Sequence, residues 1–208
     1  MRDWLIARPI AHRGLHDSAS GVIENTPSAF RAAIDGRYAI ETDLRISADG
    51  EAMVHHDDIL GRLTEGNGRL DAMTAATLQH IPFKATADRM LTLGELCDLV
   101  ASRATMVIEM KSRFDGDFRI VARTVAVLAA YRGPVALMSF DPAQITALRE
   151  LAPQLPRGLV AQRRDPVAKR DPIHATVPGA LGYTRQTMAA RPQFLAYRIQ
   201  DIPSALPL

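Results

Sequence analysis

The 208-residue chain is predicted to fold as an α/β protein, a TIM-type (β/α) barrel lacking the last βα unit at its C-terminus. Three observations predict it. Short β-rich runs alternate with longer helical patterns, as parallel βα units require. The strands are apolar nearly throughout, as strands covered on both faces are. Charged residues gather where these apolar runs stop, and strand C-terminal ends converge on one face of a parallel barrel.

In chain order, strands are expected at Pro9–Gly14, Ala39–Ser47, Glu51–His56, Thr105–Lys111, Val135–Phe140, Arg157–Gln162 and Phe194–Ile199. Helices are expected at Ser28–Asp35, Thr92–Ser102, Phe118–Tyr131, Pro142–Leu151 and Ala180–Arg191. Their start signals are explicit. Pro27 opens the first, Thr92 with Glu95 makes a capping-box pattern, and Asp141-Pro142 supplies a cap followed by proline at the first helical position. Residues 57–91 break the rhythm with Gly61, Gly66, Gly68 and Pro82. A connection of that length is functional more often than idle, and it is read as an insertion within a single domain spanning 1–208.

Composition narrows the class. With 25 basic and 23 acidic residues the net charge is +2, which gives no electrostatic footprint for nucleic acid. The basic group Arg163, Arg164, Lys169 and Arg170 is broken by Asp165 and Asp171 and reads as a solvated loop. Cys97 stands alone, so no intrachain disulfide forms, and its apolar helical setting makes it a core residue. No run approaches the roughly 18 apolar residues of a membrane span. Met1–Arg8 leaves no room for a signal peptide ahead of the first strand, so a cytoplasmic location is expected.

Five polar clusters fall at strand ends: His12-Arg13-Gly14, Glu24-Asn25-Thr26-Pro27, Glu41-Thr42-Asp43, His55-His56-Asp57 and Glu109-Met110-Lys111. Each has an ordinary explanation by itself; Asn25 and Thr26, for instance, fit a helix start equally well. Residues two apart on a strand share a side, so Glu41 and Asp43 place two anions together in an apolar strand. That is costly unless a cation neutralises them. Glu41, Asp43 and Glu109 offer hard oxygen ligands for one divalent cation, Ca²⁺ or Mg²⁺. Three carboxylates around such an ion leave one negative charge, and Arg13 and Lys111 reverse its sign, which suits a phosphodiester monoanion. Arg13 can grip phosphate oxygens in bidentate fashion and Lys111 supplies a point charge. His12 and His56 are the general base and acid candidates, with His56 preferred over His55, which is expected to face the helical layer.

These pieces resemble the signature of the glycerophosphodiester phosphodiesterases: Ala11-His12-Arg13-Gly14, Glu24-Asn25-Thr26, Glu41-Thr42-Asp43, His56-Asp57 and Ile108-Glu109-Met110-Lys111. Leu60-Gly61-Arg62-Leu63-Thr64 with Gly68 resembles that family's active-site insertion, and Ser139-Phe140-Asp141 its fifth strand end. The resemblance covers about residues 9–202. It implies a barrel that hydrolyses a small-molecule glycerophosphodiester to glycerol 3-phosphate and an alcohol. His12 and His56 would be the acid/base pair, Glu41, Asp43 and Glu109 the metal ligands, and Arg13 and Lys111 the phosphate-binding residues. In that family the substrate's own glycerol 2-hydroxyl is thought to attack, giving a cyclic phosphate that water opens.

The sequence departs from the family at Gly61, where an acidic residue is usual, and at Asp58, where proline is usual. The family's eighth strand, with its tryptophan-containing segment, has no counterpart; the only tryptophan is Trp4. The expectation is therefore an open barrel edge, with a homo-oligomer as one way to cover it. The alternatives are hydrolysis of a lysophospholipid or other phosphodiester on the same fold, and a non-catalytic, shortened homologue.

Overall fold

The computed structural model describes residues 3–161 and 180–197. The expected basic loop around Arg163–Arg170 and the tail Asp201–Leu208 lie outside the described residues. The elements run β1 (Ile10–Ala11), α1 (Pro27–Asp35), β2 (Ala39–Ile46), β3 (Ala52–Val54), α2 (Ala75–His80), α3 (Leu93–Val100), β4 (Met106–Met110), α4 (Arg119–Leu128), β5 (Val135–Ser139), α5 (Pro142–Leu151), β6 (Arg157–Ala161), α6 (Ala180–Ala190) and β7 (Phe194–Tyr197). The start signals act as the sequence implies. Thr92 and Glu95 close a reciprocal capping box on α3, and the Asp141 carboxylate accepts from the Ala143 N–H at the start of α5.

Six strands form a parallel sheet in the order β1-β2-β4-β5-β6-β7. Their alternating side chains divide the sheet into two faces. Ile40, Leu44, Met106, Ile108, Met110 and Leu137 are buried with Phe30, Leu93, Leu96, Ile120 and Ile145 of the helices. Burying each such large side chain contributes about 1.5–3 kcal/mol. Glu41, Asp43 and Glu109 occupy the intervening positions and therefore point away from the helices.

One expectation fails here. The run at Glu51–His56 is expected from the sequence as the third of seven barrel strands in a mainly parallel sheet. It is instead antiparallel to β2, pairing Leu44 with Val54, Arg45 with Met53 and Ile46 with Ala52. The connection from Ser47 to Glu51 is too short for a parallel crossover, which takes a dozen or more residues. It forms a tight turn in which Gly50 takes φ 83°. Since Leu44 also pairs with Met110, and Ile40 with both Ala11 and Met106, β1 and β3 lie along the same edge of β2. The two-residue β1 covers the start of that edge and β3 the end.

The insertion is ordered and carries a small core of its own. Leu60, Leu70, Leu78, Phe83 and Met90 pack with Met53 and Ile23. Isolated bridges at Ile59–Arg69 and Thr64–Phe83 pin its ends together. Among the described residues, no helix is long and apolar enough to cross a membrane.

Candidate active site

The sheet face opposite the helices carries the acidic cluster. Register explains its composition: Asp43 on β2 lies directly beside Glu109 on β4, and Glu41 sits one pleat back. One carboxylate oxygen from each of Glu41, Asp43 and Glu109 lies within 4.8 Å of the others, and all three residues are buried. Lys111, just past β4, places its Nζ 2.8 Å from Asp43 Oδ1 and 2.7 Å from Glu109 Oε1.

The loop after β1 folds onto this cluster through two strained residues. Arg13 and Asn25 both adopt left-handed backbone, at φ 57° and 56°. Such conformations cost on the order of 1–3 kcal/mol and persist where the surroundings enforce them. The turn at Arg13 aims its N–H at Glu41 Oε2, 2.9 Å away, and its carbonyl accepts from the Asn25 N–H at 2.9 Å. Gly14, at φ 80°, allows this fold; a Cβ there would lie 2.8 Å from the Ala29 Cβ. The Arg13 guanidinium donates to Glu24 Oε1 at 2.8 Å and lies 3.3 Å from Asp43 Oδ2. The Asn25 amide donates to Asp43 Oδ2 at 2.9 Å and accepts from the Thr42 hydroxyl at 2.8 Å. Asn25 is thus a support for Asp43 rather than a helix-start signal. Thr26 takes the N-cap position of α1 without a side-chain cap bond, its hydroxyl donating back to the Ile23 carbonyl.

The antiparallel β3 delivers the second histidine. As β3 returns alongside β2, the His55 N–H donates to the Asp43 carbonyl at 3.1 Å, which brings His56 to the level of the acidic cluster. His56 Nδ1 is 2.8 Å from Asp57 Oδ1. Arg62 of the insertion donates from Nε to Asp57 Oδ2 at 2.6 Å and from NH2 to Glu24 Oε1 at 2.6 Å. A continuous chain of polar side-chain contacts therefore runs His56–Asp57–Arg62–Glu24–Arg13–Asp43. His55 is buried and packs its ring against Phe83, 6.4 Å between centroids. It faces the insertion, not the helical layer that the sequence suggested. His12 is the exposed member, with Nε2 3.9 Å from Glu41 Oε2.

The charges are out of balance in an informative way. Burial, reinforced by the neighbouring Asp43 carboxylate, pushes Glu41 up to about 8. Burial also raises Glu109, against the pull of Lys111. Burial opposes ionisation of Asp43 as well, but the Lys111 ammonium, His56 and the Asn25 amide bring it below the usual carboxylate range. Burial lowers His12, helped by the positive charge of Arg13. The donor set fits a hard divalent cation. Asp43 Oδ1 and Glu109 Oε1 are buried, with the Lys111 ammonium 2.8 and 2.7 Å away. Buried oxygens of that kind are what Ca²⁺ or Mg²⁺ takes as ligands.

The structure brings together Arg13, Glu41, Asp43, Glu109 and Lys111, with His12 and His56 at the margin. It adds Glu24, Asn25, Asp57 and Arg62. Their polar clustering at Glu24-Asn25 and His56-Asp57 was visible in the sequence, but their mutual contacts depend on the insertion folding back. Both cations hold carboxylates of the cluster: Lys111 pairs with Glu109, whose side of the strand it shares, and with Asp43 across the sheet, and Arg13 lies against Asp43.

Residues 12–195 match the model of the glycerophosphoryl diester phosphodiesterase family. A glycerophosphodiester phosphodiesterase of Caldanaerobacter subterraneus subsp. tengcongensis is 29% identical over 163 residues, 74% of this chain and 66%, just under two thirds, of the relative's own length. The fold superposes on a crystal structure from Silicibacter pomeroyi DSS-3 with a TM-score of 0.72 at 24% identity, covering 91% of this chain and 74% of that one. It also superposes on an Oleispira antarctica phosphodiesterase in complex with the product sn-glycerol-3-phosphate, with a TM-score of 0.68 at 20% identity, covering 91% and 92%. With the match spanning nearly the whole described sheet and its acidic cluster, the chain belongs to the glycerophosphoryl diester phosphodiesterase family.

Proposed function

We propose that this chain hydrolyses glycerophosphodiesters to glycerol 3-phosphate and an alcohol with one bound divalent cation, Ca²⁺ or Mg²⁺. The observation that carries this reading is the convergence of three buried carboxylates within 4.8 Å with a lysine and an arginine touching them. Family membership supports it, and so does the glycerol 3-phosphate held by the Oleispira relative.

Glu41, Asp43 and Glu109 would hold the cation, which when bound polarises the phosphoryl oxygens and neutralises charge on them. Arg13 and Lys111 bind the remaining phosphate oxygens and orient the diester. His12 and His56 transfer protons on either side of phosphorus: one accepts from the attacking hydroxyl, the other protonates the departing alkoxide. Asp57 takes the Nδ1 side of His56, so the ring presents Nε2 to the substrate, and Arg62 fixes Asp57 in turn.

A small polar substrate is favoured over a lysophospholipid. The cleft beside Lys111 carries the charged side chains Arg45, Asp58, Asp71 and Arg113 around Ile46 and Leu70. Charged groups of both signs there can hold the hydroxyls of a glycerol headgroup. Coupled detection of glycerol 3-phosphate tests the proposal. Glycerophosphocholine is expected to be cleaved with Ca²⁺ or Mg²⁺ present and not after chelation. Metal-independent cleavage, or cleavage of lysophosphatidylcholine alone, would refute it.

A further inference from the structure

Arg45 is the one arginine on β2, and its position does not match its chemistry. It follows Asp43 by two residues and so shares the face of Glu41 and Asp43. Four carboxylates, Asp58, Asp43, Asp57 and Glu109, act on its charge, yet it forms no close ion pair with any of them among the described residues. Its Nε instead donates to the backbone carbonyl of His56 at 2.6 Å. The side chain is half-buried at the edge of the cleft beside Lys111, and burial lowers its proton affinity.

The location of the bond explains what it accomplishes. The β2–β3 ladder ends at Leu44–Val54, and the last backbone bond across it is His55 N–H to the Asp43 carbonyl. His56 lies just past the end of the ladder, where the chain turns into the insertion. Asp57 fixes its ring, and Arg45 fixes its backbone.

We propose that Arg45 is a positioning residue that holds His56 at the distance from the acidic cluster needed for proton transfer. The inference rests on the acid/base role given to His56 above. It separates Arg45 from Arg13 and Lys111: Arg45 acts through His56 and need not touch the phosphate. A displacement of about 1 Å in a catalytic group can cost on the order of 100-fold in rate. The loss therefore falls on kcat and leaves metal affinity in place.

Two variants and two readouts test this. Arg45→Met is expected to lower kcat about 10- to 100-fold, with Ca²⁺ affinity within about twofold of wild type. Arg45→Lys, which keeps a donor near the carbonyl, should recover most of the rate. Independently of turnover, the His56 imidazole resonances, assigned by their loss in His56→Ala, should shift and broaden in Arg45→Met and return towards wild type in Arg45→Lys. An unchanged His56 signal in Arg45→Met overturns the inference, as does a fall in kcat that merely follows a fall in metal affinity. If wild type releases no glycerol 3-phosphate, the hydrolase reading fails, and the imidazole signal still decides what Arg45 does.

Discussion

The Lys111 ammonium lies 2.7 Å from the carboxylate of Glu109, the residue two positions before it in the chain. The same ammonium reaches Asp43 across the sheet, so one side chain is the counter-ion for two of the three clustered carboxylates. Removing one member of a buried ion pair typically costs about 3–5 kcal/mol. Lys111→Met is therefore expected to lower the melting temperature of chelator-treated protein, and Ca²⁺ or Mg²⁺ should restore more stability to the variant than it adds to wild type. Scanning fluorimetry with and without metal checks both. A variant as stable as wild type in chelator would show that the cluster is not held by Lys111.

Asn25 supports Asp43 through its side chain and tolerates a left-handed backbone. Losing its hydrogen bonds leaves a buried carboxylate oxygen and the Thr42 hydroxyl underserved, at about 1–3 kcal/mol. Asn25→Gly should show that loss alone, because glycine accepts the backbone angle. Asn25→Ala should be less stable than Asn25→Gly, and both should bind Ca²⁺ more weakly. Urea denaturation and calorimetry supply the two quantities. Equal stability of the glycine and alanine variants would remove the backbone from the explanation.

His55 is 2% exposed, and burial lowers it to about 4 from an ordinary 6.5. The unfolded chain takes up a proton below 6.5, whereas the folded protein resists until about 4. The contribution of neutral His55 is thus fully present above 6.5 and is lost as pH falls towards 4. At about 1.4 kcal/mol per unit it amounts to roughly 3 kcal/mol. Glu41, held up near 8, acts in the opposite direction as pH falls. The clean quantity is therefore the difference between wild type and His55→Phe in urea unfolding at pH 7 and pH 4.5. Wild type should lose more stability over this interval. Parallel losses would contradict the neutral, buried assignment.

Replacement of His12 or His56 by alanine should each lower turnover by about 10²–10⁴-fold while leaving metal affinity largely unchanged. His16→Ala, at an exposed position, should be nearly silent. His55→Ala should lower the melting temperature through its lost packing on Phe83 more than it lowers kcat. A large kcat loss in His55→Ala at unchanged stability would exchange the roles of the two histidines.

Much of this site could be read from the sequence because strand periodicity assigns faces. Glu41 and Asp43 two apart, and Glu109 with Lys111 two apart, had to share a side, and parallel register then brings Asp43 beside Glu109. What periodicity does not encode is strand direction. Met53 and Val54 read equally well as a parallel or an antiparallel strand, and the deciding signal was the five-residue return through Gly50. Arg62 and Glu24 illustrate a second limit. They lie 38 residues apart, and their pairing depends on the insertion packing Leu60 and Phe83 back against Ile23 and Met53. Contacts of that range follow from tertiary packing, which local spacing does not report.

One cation held by Glu41, Asp43 and Glu109 is proposed to enable phosphodiester hydrolysis. Its most direct test is calcium titration of metal-stripped protein, with calorimetric heat and glycerol 3-phosphate release from glycerophosphocholine followed side by side in wild type and Asp43→Asn. In wild type the two signals are expected to rise together and saturate near one ion per chain. In Asp43→Asn both should move to much higher calcium. Full turnover without added metal, or an unaltered calcium affinity in Asp43→Asn, would contradict it.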